Sequence, residues 1–307
     1  MSRDISLLQG VSLAALALFW ALNWPAMKVG LGTVEPWTFR LLTVAAGGVG
    51  ALLIARGLGQ RLIPHSSDRR ALLLLAFVQA TLWNGFSGFG IALGEAGRAA
   101  LIAFTMPIWA TLLAVLILGE TVGRRRALGL AVGLGGIVVL MAPALGGLAG
   151  QREASLFMLA AAVAWGAGTV IFKAQAWQTP ILVVTGWHFL IGGIPLLVAA
   201  FALGEPASLL EVDLGTGLVV AYSALIPMIL CQYIWFRLVQ AVPANVAAMA
   251  TLAVPGLGLA ASAVLLGEPV GPFEVAGLVL LTVAMVLILT SFSLRANRHP
   301  PPAPRPE

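Results

Sequence analysis

The chain has 307 residues, of which 60% are hydrophobic and 9% charged, with a mean hydropathy of +1.00 and a formal charge of +5. A soluble domain carries roughly 25% charged residues to face water, so this composition excludes one and leaves a surface that faces lipid. The lone cysteine, Cys231, excludes an intrachain disulfide framework or a cysteine-based metal site, and basic residues scattered among connectors exclude a nucleic-acid face.

A bilayer core about 30 Å thick takes roughly 20 apolar residues per helix. Ten such runs follow one another, at 7–27, 37–55, 71–93, 99–118, 127–144, 155–174, 181–203, 215–236, 244–266 and 274–292. Each is continuously apolar, without the period-two alternation of a barrel strand, so the fold class is an all-α membrane protein with ten transmembrane helices. Arg3 and Asp4 precede a first run too long for a cleaved leader, so it reads as a membrane helix. No connector is long enough to hold a soluble domain.

Positive charge orients the bundle, because cytoplasmic loops collect Lys and Arg. With the N-terminus inside, the inner segments hold Arg3, Arg56, Arg61, Arg69, Arg70, Arg124, Arg125, Arg126, Lys173, Arg237, Arg295, Arg298 and Arg305. The outer side receives only Lys28, Arg40, Arg98 and Arg152. This predicts a multi-pass membrane protein with both termini in the cytoplasm. Residues 294–307 are polar and proline-rich, and are expected to form a disordered cytoplasmic tail.

The two halves repeat. Pro107 precedes Gly119-Glu120-Thr121-Val122 as Pro255 precedes Gly267-Glu268-Pro269-Val270, at an offset of 148 residues. Trp20 and Lys28 recur as Trp165 and Lys173, with the same spacing. Residues 1–150 and 151–293 therefore read as two five-helix repeats. Five is odd, so the second copy enters the membrane upside down, an inverted repeat of the kind that builds transporters around a central site.

Phe19–Leu31 (FWALNWPAMKVGL), Pro36–Leu42 (PWTFRLL) and the doubled Pro…Gly-Glu-x-Val helices together resemble the EamA-type transporters of the drug/metabolite transporter superfamily. The likeness spans residues 7–292 and is closest to bacterial aromatic-amino-acid exporters. It implies a ten-helix inverted-repeat fold and export of small metabolites, commonly amino acids, by alternating access. The segment from Trp165 to Lys173 lacks the asparagine of the first copy, so Asn23 alone can carry its role.

Trp37, Trp177 and Trp235 suit the membrane boundary, whereas Trp20, Trp83, Trp109, Trp165 and Trp187 fall inside their runs. A deep indole N–H needs a partner or a wet cavity. Asn23, Gln79, Asn84, His188, Tyr222 and Gln232 also lie within spans, where polar groups must face one another or water. These eleven residues form the expected substrate site, an aromatic-lined chamber whose polar groups hold an amphipathic, zwitterionic metabolite. Pairing between helices is the simpler alternative for each.

Pro107 and Pro255 are the expected hinges, each removing a backbone donor in mid-run. Every acid lies at a helix end, in a loop or in a tail, which disfavours a carboxylate-based cation pump, the reading a multidrug exporter would need. Proton coupling would then fall to His188, with uncoupled efflux as the alternative. Gly129 and Gly133 read as helix packing. A distant alternative is an intramembrane hydrolase, with Ser87 of Gly85-Phe86-Ser87-Gly88 as nucleophile and His188 as base. The sequence otherwise calls for no catalytic group, cofactor or metal, and for a small-molecule substrate and the bilayer as partners. A monomer is compatible with it.

Overall fold

The computed structural model describes residues 7–118, 123–145, 151–205, 207, 210, 212–241 and 244–296. The repeated Gly119–Val122 element and tail residues 297–307 lie outside these, while 294–296 continue the last helix. The helices are α1 (Leu7–Leu31), α2 (Pro36–Gly57), α3 (Arg69–Leu75), α4 (Trp83–Leu93), α5 (Ala96–Ala103), α6 (Met106–Leu118), α7 (Arg124–Leu145), α8 (Gln151–Ala174), α9 (Ile181–Ala202), α10 (Leu214–Ser223), α11 (Gln232–Ala241), α12 (Ala244–Leu266) and α13 (Pro272–Ala296). Among the described residues no strand occurs. Eight continuous stretches are long and apolar enough to cross a membrane, and two shorter apolar helices, Ala253–Leu266 and Pro272–Ile288, accompany them.

Local chemistry sets the helix ends. Glu35 caps α2 by accepting from the N–H groups of Trp37 and Thr38 at 2.9 and 3.1 Å, and Pro36 opens the helix with no N–H to satisfy. At its far end Gly59 has φ +71°, Gln60 N–H bonds to Ala55 O and Gly59 N–H to Arg56 O, the two bonds of a Schellman stop. Asp213 caps α10 through Thr216 N–H at 2.7 Å. The exposed Asp213 carboxyl is held below its usual range by those Thr216 hydrogen bonds.

Two stretches depart from α geometry in mid-span. Residues Ala76–Leu82, between α3 and α4, and Ala224–Cys231, between α10 and α11, are π-helical. They begin 148 residues apart, the offset that separates Pro107 from Pro255. Pro227 accounts for the second, since it leaves a carbonyl without its donor. The apolar run 99–118 is also interrupted: α5 stops at Ala103 and α6 resumes at Met106, with Pro107 in the first turn of the new helix. The matching helix α12 continues unbroken through Pro255.

The main lateral pairings join the two halves. Helix α7 lies along α13, α2 along α9, α1 along α12, and α8 against α4 and α6. Glycines bring the backbones together: a Cβ at Gly48 would lie 3.1 Å from Gly186 O, and one at Gly186 would lie 3.1 Å from Gly48 O. Gly129 and Gly133 press against α13 in the same way, near Ala284. Large apolar side chains such as Leu53, Leu116, Phe201 and Val264 point outward, as a lipid-facing surface requires. Gly48→Ala or Gly186→Ala should lower stability by about 1–3 kcal/mol through overpacking. Gly57→Ala, where a Cβ meets nothing within 4 Å, should not, as thermal melting of purified protein will show.

Candidate functional site

An interior cavity opens between α1, α2, α4, α8, α9, the Ala224–Cys231 segment and α11. Its lining includes Trp20, Asn23, Trp24, Arg40, Trp83, Asn84, Phe104, Trp165, Phe189 and Gln232. About 70 Å³ is open to the centres of water-sized molecules, room for a few waters. The site therefore forms where the two halves meet.

Indoles make one wall. Trp165 packs edge-on to Trp20 with ring centres 6.1 Å apart and lies 4.7 Å from Trp83, while Trp20 lies 5.7 Å from Trp235. Such tilted contacts match the quadrupoles of the rings and hold them in place. Trp235, expected at the membrane boundary, packs on Trp20 and so adds a fourth ring to this row. Asn84 stands two residues past the first π-helical stretch and Gln232 directly after the second, at positions 148 residues apart, so a similar backbone irregularity precedes one amide in each half. Asn23 is steadied by Ser223, whose hydroxyl donates to its Oδ1 at 3.0 Å. The helix break at 104–105 also faces the chamber, through Phe104 and Met106.

Of the eleven residues expected from sequence, Trp20, Asn23, Trp83, Asn84, Trp165 and Gln232 line this cavity. The other five lie elsewhere. Trp109 donates to Thr105 Oγ1 within its own helix turn. Trp187 donates to Leu62 O at 2.7 Å, at the other end of α9 from Leu203. Tyr222 donates to Phe19 O at 2.8 Å and so ties α10 to α1 behind the lining. Gln79 is pressed against Gly168, where a Cβ would come within 2.5 Å of it. His188 is fully buried against Phe189 and Phe236, with neither ring nitrogen hydrogen-bonded. Ser87 accepts from Arg40, so the Ser–His pair that nucleophilic catalysis needs is not made.

Arg40 is the lining residue that the sequence placed at the outer end of a helix and left out of the site. Its signal was legible: a charge five residues into an apolar run marks a functional position more often than a chance one. Trp24, Phe104 and Phe189 gave no comparable signal, because an apolar side chain inside an apolar helix looks the same whether it lines a cavity or fills a core.

Polar clamps tie helices together at both ends of the bundle. At one end, Lys28 donates to the carbonyls of Ile91, Ala92 and Gly94, the last acceptors of α4. Beside it, Glu268 accepts from Ala96 and Gly97 N–H at 2.7 and 2.8 Å, capping α5 from the other half of the chain. Arg98 pairs with Glu274 on α13. Burial raises the neighbouring Glu95 carboxyl above its usual range, against the opposing pull of Arg98. At the other end, Asp68 accepts from Gln175 Nε2, Gln178 N–H, and both the N–H and hydroxyl of Thr179.

A model of the EamA-like transporter family matches this chain twice, over residues 8–142 and 152–290. The chain is 28% identical to a probable amino-acid metabolite efflux pump of Salmonella typhimurium, covering 91% of this chain and 94% of that one. It is 27% identical to a protein of the same description from Escherichia coli, over 93% and 95% of the two chains. To an uncharacterized transporter of Bacillus subtilis it is 24% identical, over 81% and 85%. A solved crystal structure superposes with a TM-score of 0.67 at 18% identity, over 93% of this chain and 99% of that one, and so shares its fold.

Asp68→Asn removes the charge that gathers these four donors and should cost about 1.5–3 kcal/mol. Thermal melting should fall accordingly, and hydrogen exchange should rise at residues 60–68 and 175–181. Unchanged exchange there would refute the clamp.

Proposed function

The chain belongs to the EamA-like transporter family, and on that premise we propose that it exports small zwitterionic metabolites, amino acids including aromatic ones, by alternating access. The observation that carries this reading is the chamber itself: a wall of indoles with the amides of Asn23 and Asn84 from the first half and of Gln232 from the second, set between helices of both. An apolar wall with few polar anchors suits a molecule with one greasy and one hydrogen-bonding end. The efflux-pump descriptions of two relatives, at 27% and 28% identity, support the amino-acid class.

The proposed architecture is ten transmembrane helices in two inverted repeats, 1–150 and 151–293, with N- and C-termini in the cytoplasm of a bacterial cell. Three observations support it. The family model matches once per half. The π-helical stretches begin 148 residues apart. Exchanging the halves maps the pairings α2–α9 and α7–α13 onto themselves and α1–α12 onto α6–α8. Alternation then consists of releasing one end clamp at a time, with Lys28 and Glu268 holding the outer end and Asp68 the inner. The break before Pro107 gives the first half a joint beside the substrate, and Pro255 is its counterpart.

Protein in liposomes loaded with labelled amino acids should release aromatic and other neutral members of a panel faster than protein-free vesicles. Asn84→Ala and Gln232→Ala should each slow that release roughly 5- to 100-fold, the effect of removing one buried hydrogen-bond partner. No release of any member by the wild-type protein would refute the function, and wild-type rates in both variants would refute the site. A proton ionophore separates coupled from uncoupled efflux in the same assay.

A further inference from the structure

We infer that Arg40 is the recognition cation of the chamber, and that a substrate must present a carboxylate to it. The inference rests on the chamber being the substrate site. The Arg40 side chain is 2% exposed and lines the cavity. A charge removed from water is costly unless paired, so a buried guanidinium normally has a carboxylate beside it. This one has none among the described residues. The nearest acid along the chain, Glu35, commits its oxygens to Trp37 N–H and to the N–H and hydroxyl of Thr38.

What Arg40 does touch holds it in place without neutralising it. Nη2 donates to Ser87 Oγ at 2.8 Å, and Nη1 points to Met27 Sδ at 3.1 Å, a weak acceptor. The Nε–H has no partner. Gly88 gives the side chain its path, since a Cβ there would stand 3.2 Å from Arg40 Cγ and 3.5 Å from Nε. The fold thus positions a fixed cation with spare donor capacity at the edge of the chamber.

The rest of the lining reads the same way. Trp165 Nε1–H and the Gln232 amide are buried donors without partners, and Asn84 Oδ1 is a buried acceptor without one. The orientation of Asn84 follows from its Nδ2, which donates to Ala80 O at 2.7 Å. Three donors and one acceptor complement a group that only accepts, accompanied by a single small donor. A carboxylate accepts at both oxygens and carries one charge to match one guanidinium. Its neighbouring ammonium then faces Asn84. A phosphate monoester brings nearly two charges and leaves one unmatched, and a lipophilic cation meets a charge of its own sign.

Calorimetric titration of the purified wild-type protein with matched compounds tests this. The probes are phenylalanine, phenylalaninamide, 3-phenylpropionate, phenethylamine and phenyl phosphate. The two carboxylates should bind, with phenylalaninamide and phenethylamine weaker than phenylalanine by roughly 10- to 100-fold. Arg40→Gln should abolish that preference, and Arg40→Lys should restore part of it, since an ammonium keeps the charge without the fork. Equal preference in wild type and Arg40→Gln overturns the role of Arg40 while leaving an amino-acid site intact. Tighter binding of the amide, the amine or the phosphate overturns the carboxylate requirement. Binding of no probe by wild type overturns both this inference and the reading beneath it. Where Arg40→Gln fails to fold, Ser87→Ala decides: weaker phenylalanine binding with unchanged phenylalaninamide binding supports the inference, and no change refutes it.

Discussion

Hydrocarbon offers no hydrogen bonds, so every polar group in this bundle must find its partner inside the protein or beside water. That constraint sorts the molecule. Backbone groups are satisfied along the helices, and departures from regular α winding gather in a few places: helix ends, the break at residues 104–105 and the two π-helical stretches. The helix ends are answered by side chains from distant parts of the chain, Lys28 on the carbonyls of α4 and Glu268 on the amides of α5. The unanswered side-chain groups of Arg40, Asn84, Trp165 and Gln232 meet around one chamber. His188 and Gln79, also buried without side-chain partners, lie away from that lining.

The fold class was open to reading from the sequence because run length and bilayer thickness set it together. Interior tryptophans and amides were legible for the same reason: a polar atom at that depth is costly and so conspicuous. Six of them do meet at the cavity. What the sequence could not show is which face of a helix each residue occupies, and that depends on local winding. Tyr222 and Trp187 look equivalent to Gln232 and Trp165 in sequence, yet one binds Phe19 O behind the wall and the other Leu62 O at a helix end. Arg40 was left out of the expected site because it stands near the outer end of its run, from which it can still reach inward. As the fifth residue of α2, it lies about 6 Å along the axis from the first, and a long side chain covers the remaining distance inward. The shift from α to π winding has no sequence signature at Ala76–Leu82, and Pro227 alone marks the second stretch.

The clamps also explain why charges that looked like mere boundary markers are built into the architecture. Glu268 joins a loop after α12 to the first turn of α5, across more than half of the chain. Asp68 joins the start of the third span to the connector before α9. Both bridge the halves, at opposite ends of the bundle. Under the alternating-access proposal such ties must be separate, and neither shares a residue with the other.

A single extra residue in a helical turn rotates everything beyond it by about 100°. At Ala76–Leu82 and Ala224–Cys231 that rotation falls just before Asn84 and Gln232. Under the repeat reading, the two amides are counterparts, each brought to the chamber just after the same departure from α winding in its own half.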